Sequence, residues 1–297
     1  MEEITNDDYR NFMRKNDKVV VADTEISIGK INRVNYLNPP DFELETTTCW
    51  SFPKRGNWAT HYLNSKYRGN FAPQVPRNLI LRYSKPDEIV LDPFVGSGTT
   101  LIECKLTGRM GIGVDINKDA LILARDRLNF DSLNSSFVGQ KTFLGDARNL
   151  NFLENESVDL IIAHPPYSNI IIYTKNSDNK SDLSKMTLPV FCEEIKKAIE
   201  EFHRVLKQGK VCAVLIGDIR KHKHQISLSF KLMKIFLDSG FVLKEHVIKE
   251  QHNTKTASMW KRISMENNFL LLAHENLFIF RKPEKNENSF KFKEINF

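Results

Sequence analysis

The stretch Glu88-Ile-Val-Leu-Asp-Pro-Phe-Val-Gly-Ser-Gly-Thr-Thr100 decides the fold. Three apolar residues between Glu88 and Asp92 predict a short buried strand. The glycine-rich turn that follows lets the backbone reverse tightly and approach a ligand closely. Residues 99–107 then predict a helix, and the free N–H groups at its start favour a negatively charged group. A strand, a glycine turn and a helix in this order are typical of a ligand-binding α/β domain.

Strands and helices alternate along the rest of the chain. This alternation predicts an α/β fold with a doubly wound, mostly parallel sheet. The predicted strands are 110–115, 141–144, 158–163, 211–216, 241–249 and 276–281, and the predicted helices are 120–128, 188–206 and 227–237.

The chain divides by composition into three parts. Residues 1–45 are polar and mixed, with one β-like stretch at 18–22, and we predict an N-terminal extension there. Residues 46–283 form the predicted main domain, and 284–297 form a charged tail that we expect to fray.

Composition and charge exclude several classes of protein. An apolar fraction of 41% over 297 residues argues against global disorder. The excess of 43 Lys and Arg over 37 Asp and Glu suits a polyanionic partner. A polar, acidic N-terminus and the lack of an apolar run of about 20 residues predict no signal peptide and no membrane span. We therefore expect a cytoplasmic protein. We also predict no metal site, because no CxxC pair occurs among Cys49, Cys104, Cys192 and Cys212.

Acidic residues end three consecutive predicted strands: Asp92, Asp115 and Asp146. Each alone could be a helix N-cap. In an open α/β sheet, however, these strand ends line the ligand crevice. Asp115 stands where a carboxylate accepts from ribose hydroxyls, and Asp146 or its adjoining backbone could hold an adenine amino group. The three together favour an adenosine-containing cofactor.

The glycine turn itself belongs to neither common nucleotide motif. It lacks the GxxxxGK[ST] spacing of a P-loop, and its Gly96-x-Gly98 pattern is not GxGxxG. A dinucleotide oxidoreductase is therefore a distant alternative.

The tetrapeptide His164-Pro165-Pro166-Tyr167 ends the predicted strand 158–163. Two prolines fix φ and remove two N–H donors, so the loop is rigid and its carbonyls are not used by a helical turn. Such a loop can aim the His164 side chain and the Pro165 carbonyl at one point, with the Tyr167 ring beside it. Pro-Pro-Tyr alone is often only a rigid loop or a proline-rich ligand.

Methylation of a base amine needs this combination of groups. The exocyclic nitrogen of cytosine or adenine is a poor nucleophile because its lone pair is delocalised into the ring. Two acceptors can draw the amine toward tetrahedral geometry, and an already activated methyl then needs only in-line positioning. The base must be single-stranded or swung out of the helix.

Taken together, residues 92–100 and 164–167 resemble the amino-methylating DNA methyltransferases, which act on cytosine N4 or adenine N6. The resemblance implies S-adenosylmethionine as cofactor and a seven-stranded Rossmann-like sheet of the class I methyltransferase type, with one antiparallel strand. It implies that residues 70–82 supply a helix closing over the methionine end and that His164 contacts the target amine. The cofactor contacts that it implies are Asp92, Pro93, Phe94, Gly96, Ser97, Gly98, Thr99, Asp115, Ile116, Asp146 and Ala147, with Asn70 and Pro73.

Two features depart from the family pattern. The first motif residue is normally Asp, Asn or Ser, whereas His164 stands here and could accept through a neutral ring nitrogen. We predict cytosine N4 as the target, with adenine N6 as the alternative. The glycine turn also precedes the catalytic motif, so the motif order is predicted to be circularly permuted.

Basic and aromatic residues interleave in three segments that suit phosphate contacts and base stacking. Each segment alone could be a solvated loop. We predict double-stranded DNA as the partner, in a prokaryotic or phage protein associated with the nucleoid. An RNA base methyltransferase and a non-catalytic nucleic-acid-binding module are the alternatives, and a homodimer or a cognate restriction endonuclease could supply site recognition. The predicted contacts are Arg55, Trp58 and Arg68 with the nearby His61, Tyr67 and Arg77, then Lys221 and Lys223, then Lys255, Trp260 and Arg262.

Overall fold

Strands alternate with helices along most of the computed structural model, which describes residues 1–29, 34, 36–131, 139–167, 181–252 and 257–287. The strands in this part of the chain are β1 (Glu2–Glu3), β2 (Lys18–Val21), β3 (Thr24–Ser27), β4 (Cys49–Trp50), β5 (Ile89–Asp92), β6 (Met110–Asp115), β7 (Lys141–Leu144), β8 (Val158–Ala163), β9 (Leu206–Ile216), β10 (Ile219–Lys221), β11 (His224–Ile226), β12 (Val242–Glu250) and β13 (His274–Arg281).

Capping residues mark the two ends of α3 and the start of α4. Gly98 (φ 82°) precedes α3, and Gly108 (φ 72°) ends it in the left-handed conformation that favours glycine. The Asn117 side chain accepts from the Asp119 N–H at the start of α4. The α-helices are α1 (Asn6–Met13), α2 (Gln74–Tyr83), α3 (Thr99–Thr107), α4 (Lys118–Arg127), α5 (Leu188–Val205), α6 (Leu228–Asp238) and α7 (Ala257–Glu266), with short 3₁₀ helices at His61–Lys66 and Leu183–Lys185.

The central sheet has the order β1-β7-β6-β5-β8-β9-β13-β12-β4. Strands β5 to β9 are mutually parallel, and β13 lies antiparallel between β9 and β12. The α/β class and the mostly parallel sheet are thus confirmed. The predicted count of seven strands is wrong, since the described residues form nine. The two additional strands, β1 and β4, have two residues each and pair at opposite edges, β1 antiparallel to β7.

Strand order reverses at β5, which has β6 on one side and β8 on the other. In such a sheet the ligand crevice lies outside the carboxyl ends of the strands at this switch point. The glycine turn follows β5 and the His164 loop follows β8, so the topology brings both motifs to one edge.

The predicted strand at 211–216 begins earlier than expected, at Leu206 directly after α5. Leu206 pairs with Val158 of β8, so the chain joins the sheet before it passes Gly209, whose φ is 73°. The predicted boundaries of α5 and α6 agree with the structure within one residue.

Residues 1–29 pack against α4 and β7. A capping box between Thr5 and Asp8 starts α1, and β2 and β3 form a hairpin. The Arg125 guanidinium donates to the Ile4 carbonyl at 2.8 Å, and the Tyr9 hydroxyl donates to Asp126 at 2.7 Å. Buried apolar side chains of this segment join those of α4. The division of the chain at residues 45 and 283 stays a prediction.

No helix in the described ranges is long and apolar enough to cross a membrane. Cys104 and Cys212 are buried free thiols, Cys192 is half-buried and Cys49 is exposed.

Candidate active site

The turn between β5 and α3 is organised around the buried Asp92 carboxylate. This carboxylate accepts from the Phe94 N–H at 3.0 Å and from the Thr100 hydroxyl at 2.5 Å. Burial raises the pKa of Asp92 to about 7, against the lowering effect of these two hydrogen bonds. Asp92 therefore fixes the shape of the turn from inside the protein.

Both glycines of the turn have positive φ, 49° at Gly96 and 82° at Gly98. A β-carbon on residue 96 would lie 2.8 Å from the Tyr67 hydroxyl, and one on residue 98 would lie 3.1 Å from the Ala124 β-carbon. Gly96 therefore lets Tyr67 approach the turn, whereas Gly98 lets α3 pack closely against α4.

Asp115 ties the ends of β5 and β6 together. Its carboxylate accepts from the N–H groups of Gly96 at 3.0 Å and Asn117 at 2.9 Å. Burial raises the pKa of Asp115 to about 6, although these hydrogen bonds favour the ionised form. The carboxylate is ionised at neutral pH and can accept further donors.

Asp146, at the end of β7, is already bound by a cation. The Arg148 Nε donates to its Oδ1 at 2.9 Å, and another Arg148 nitrogen donates to the Ser181 carbonyl at 2.9 Å. Arg148 also pairs with Glu194. Arg148 thus links the end of β7 to the segment that begins at residue 181.

One cavity of about 840 Å³, counting the space open to solvent, joins these loops. A cavity of this size suits a nucleoside-sized ligand. The predicted residues that line it are Asn70, Asp92, Pro93, Phe94, Gly96, Ser97, Thr99, Asp115, Ile116, Asp146, Ala147, His164 and Pro166. The glycine turn and the His164 loop therefore share one cavity, as the two motifs predict.

Four predicted residues do not line this cavity in the described part of the chain. Pro73 is the N-cap of α2, and its contact with the cofactor stays a prediction. Gly98 serves helix packing, as its contact with Ala124 indicates. Pro165 lies between two lining residues, and Tyr167 lies behind His164.

Several lining residues were not predicted, among them Tyr67, Phe71 and Asp182. Asp182 is buried and accepts from the Ser184 N–H, which starts the 3₁₀ helix there. Its Asp-x-Ser spacing is a recognisable cap signal, but nothing local places it near residue 92. Tyr67 and Phe71 lie in the segment between the 3₁₀ helix at His61–Lys66 and α2, and α2 packs on α3.

The tetrapeptide forms a hydrogen-bonded chain with two strands. His164 Nε2 lies 2.7 Å from the Tyr167 hydroxyl, which donates to Glu275 at 2.7 Å. Lys249 pairs with the same carboxylate at 2.9 Å. Burial lowers the pKa of His164 to about 4, despite the opposite effect of Glu275, so the ring is neutral at pH 7. The ring centroid of Phe71 lies 5.3 Å from that of His164.

The polar groups of the cavity fit S-adenosylmethionine. The hydroxyls of Ser97 and Thr99 are buried on the wall without a hydrogen-bond partner among the described residues. Unpaired buried hydroxyls are costly unless a ligand pairs them. The Asp115 carboxylate can accept from hydroxyl groups, and Gly96 lines the same cavity.

A family model described as DNA methylase matches residues 5–126 and 158–296. The chain belongs to this DNA methylase family. A second model, described as RMKL-like, methyltransferase domain, matches residues 79–216. The resemblance to amino-methylating DNA methyltransferases and the S-adenosylmethionine cofactor are thereby confirmed. The circularly permuted motif order stays a prediction.

Curated relatives match parts of the chain. Type II methyltransferase M.HpaI of Haemophilus parainfluenzae is 46% identical over 113 residues, which are 35% of this chain and 32% of that protein. DNA adenine methyltransferase YhdJ of Escherichia coli is 32% identical over 131 residues, or 42% of each chain. The matched segments thus span a third to less than half of these relatives.

The chain also aligns with solved structures. One is a SAM-dependent methyltransferase from Methanosarcina mazei, with a TM-score of 0.49 and 18% identity over 69% of this chain and 97% of that one.

The predicted DNA contacts of this family member divide into exposed and buried residues. Trp58 is buried, and its indole N–H donates to Glu103 at 2.7 Å, so its predicted role in DNA contact is wrong. Arg55 is exposed, but its guanidinium holds the Phe71 carbonyl at 2.7 Å. Lys255 lies outside the described residues. Besides Arg55, the exposed predicted contacts are Arg68, Lys221, Lys223, Trp260 and Arg262, and their roles stay predictions.

Glu103 of α3 is the centre of a buried polar cluster that the sequence did not reveal. Besides Trp58, it binds His61 Nε2 at 2.7 Å and Arg77 at 2.8 Å. Burial lowers the pKa of His61. The basic and aromatic residues of segment 58–77 therefore largely face inward, where they hold α2 and the 3₁₀ helix against α3.

Proposed function

We propose that this DNA methylase transfers a methyl group from S-adenosylmethionine to the exocyclic amino group of a base in DNA. The observation that carries the proposal is the shared cavity of the glycine turn and the His164 loop. A methyl donor seated on the turn would face an amine held at His164, and bringing the two together is the main catalytic task.

The cavity walls suggest a place for each part of the cofactor. S-adenosylmethionine supplies a methyl group that is already activated on a sulfonium. The turn at Phe94–Ser97 would hold the methionine part, and the Asp115 carboxylate would accept from the ribose hydroxyls. Asp146 and Ala147 would meet the adenine. Because Arg148 occupies both Asp146 oxygens, we expect the adenine amine to share this carboxylate with Arg148.

The His164 loop would receive the target amine. A neutral His164 ring has one acceptor nitrogen, and the Pro165 carbonyl is the second acceptor proposed for the same amine. Both would polarise the amine while the methyl group approaches. Tyr167 would support the ring from behind. Entry of a base into this cavity requires that it leave the stacked helix.

Cytosine N4 is the target that we propose from His164 standing in place of an acidic or amide residue. Adenine N6 is the second candidate, because the relative YhdJ is named a DNA adenine methyltransferase. Both bases present an exocyclic amine to the same two acceptors.

Double-stranded DNA is the proposed partner, bound on the side of the exposed cations. The β10–β11 hairpin carries Lys221 and Lys223. Arg220 of this hairpin lies 4.8 Å from the Phe269 ring centroid and donates to the Leu270 carbonyl at 2.8 Å. This contact joins the hairpin to the segment that follows α7, the helix that carries Trp260 and Arg262. A second copy or a cognate endonuclease would supply further site recognition.

The test is methyl transfer from radiolabelled S-adenosylmethionine to unmodified plasmid DNA and, separately, to total RNA. We expect label in DNA, and mass spectrometry of the nucleosides then identifies N4-methylcytosine or N6-methyladenine. Label in RNA alone would make the chain an RNA base methyltransferase. Calorimetry that detects no S-adenosylmethionine binding would favour a non-catalytic nucleic-acid-binding module.

A further inference from the structure

Glu275 and Lys249 are neighbours on paired strands behind the His164 loop. They stand opposite each other in the register of β12 and β13, 2.9 Å apart. The side chains of Glu275, Lys249 and His164 are 10%, 13% and 10% exposed, so little water competes for their hydrogen bonds. Tyr167 connects this pair to His164. Neither Glu275 nor Lys249 is among the residues that line the cavity.

Lys249, Glu275, Tyr167 and His164 form a hydrogen-bonded series, and counting the donors in it fixes the position of each shared hydrogen. Lys249 only donates, so its partner Glu275 is held as a carboxylate, which only accepts. Burial opposes ionisation of Glu275, yet Lys249 and the other neighbours bring its pKa below the ordinary value. Tyr167 has a single hydroxyl hydrogen, and Glu275 takes it. The Tyr167 oxygen must then accept from His164.

The proton on His164 therefore lies on Nε2. A neutral imidazole has one N–H, so its other nitrogen, Nδ1, is left as a bare acceptor. With the opposite tautomer, Nδ1 would carry a hydrogen and would oppose the hydrogens of an incoming amine.

We propose that Glu275 is a positioning residue that fixes the Nε2–H tautomer of His164 through Tyr167, so that Nδ1 accepts from the target amine. The inference rests on the proposed function, since it assumes that His164 meets a base amine. Lys249 assists by keeping Glu275 ionised.

Gly217, at the end of β9, holds the connecting ring in place. A β-carbon on residue 217 would lie 2.8 Å from the Tyr167 ring. The ring thus packs directly on the β9 backbone, and its hydroxyl is directed between His164 and Glu275. The position of the Tyr167 hydroxyl is therefore set by residues at the end of β9 and on β12 and β13, as well as by His164.

The first test reads the tautomer directly. Two-bond ¹⁵N–¹H correlation spectra of histidine-labelled protein separate protonated from bare ring nitrogens, and the signal lost in His164→Asn identifies His164. We expect a bare Nδ1 in the natural chain and a shift toward protonated Nδ1 in Glu275→Gln. In this variant the new side-chain amide at position 275 would donate to the Tyr167 oxygen, and the Tyr167 hydroxyl would then donate its hydrogen to His164 Nε2. A protonated Nδ1 in the natural chain overturns the inference.

The second test is a double-mutant cycle on methyl transfer to unmodified plasmid DNA. In the natural chain, we expect Glu275→Gln to lower kcat about 10-fold to 100-fold. This is less than the roughly 10⁴-fold loss caused by a wrong tautomer in a proton-transferring triad, because here Nδ1 only accepts a hydrogen bond. In the His164→Asn background the same change should cost less than about twofold, since an amide oxygen cannot change tautomer.

Glu245→Gln is the matched control, because Glu245 is an exposed carboxylate on β12. It should leave kcat unchanged. Equal losses from Glu275→Gln in both backgrounds would mean a merely structural role and would overturn the inference. Failure of the natural chain to methylate DNA would instead count against the proposed function, and the spectra would still decide the tautomer.

Discussion

The Tyr67 hydroxyl occupies the space that a β-carbon on residue 96 would need, at a separation of 2.8 Å. Tyr67 comes from the end of the 3₁₀ helix at His61–Lys66, and Gly96 comes from the turn after β5. The wall of the cavity is therefore closed by a contact between two segments that each line it. Any side chain at position 96 must move either the turn or the tyrosine.

We expect Gly96→Ala to weaken S-adenosylmethionine binding about tenfold or more, as measured by calorimetry. An alanine at φ 49° is strained, and its β-carbon collides with Tyr67. Strain of about 1–3 kcal/mol at such a position corresponds to this loss. Gly139→Ala is the control, because no atom lies within 4 Å of a β-carbon there. Unchanged affinity in Gly96→Ala would show that Tyr67 and the turn adapt freely.

Replacement of Glu103 by alanine should destabilise the protein by about 3–5 kcal/mol in urea unfolding. The change removes the shared acceptor of Trp58, His61 and Arg77 and leaves a buried guanidinium without its carboxylate. Glu200→Ala, at an exposed pair 3.9 Å from Lys196, should cost less than about 1 kcal/mol. Equal costs for the two variants would contradict the proposed importance of the buried cluster.

The larger elements of the fold are predictable from the sequence because their patterns are local. Apolar strands such as β5, β8 and β9 and the amphipathic helix α5 carry their own signals. The strands of the central sheet that escaped prediction, β1 and β4, have two residues each and no pattern of their own. They exist because a sheet edge at β7 or β12 accepts them.

The candidate site is predictable from the sequence only where its residues are close together in a local motif. The glycine turn and the His164 loop are two such motifs, and both line the cavity. Trp58 was misassigned because its partner Glu103 lies 45 residues away in sequence and is brought near only by packing. Glu275 escaped notice for the same reason, since 108 residues separate it from Tyr167.

Tyr167→Ala should lower the rate of methyl transfer strongly, by about 100-fold, while S-adenosylmethionine affinity changes less than about threefold. Tyr167 supports His164 and lies outside the cavity wall that the cofactor would contact. Asp115→Ala should mainly weaken cofactor binding, because it removes the acceptor at the end of β6. Rates and affinities are measured on the same preparations. Equal loss of both functions in both variants would refute this division of roles.

Acidification should weaken S-adenosylmethionine binding through Asp115. Burial raises the pKa of this carboxyl to about 6, so lowering the pH converts an acceptor for ribose hydroxyls into a neutral acid. If only the ionised form binds, affinity falls about tenfold between about pH 7.5 and about pH 5.0, with most of the loss below pH 6. Asp92 also titrates in this range, because its pKa is about 7. Asp115→Asn is therefore the reference variant, since it removes the titration of Asp115 and keeps that of Asp92. Calorimetry across this range should show a steeper loss in the natural chain than in Asp115→Asn. Parallel profiles would mean that the Asp115 charge plays no part in holding the cofactor.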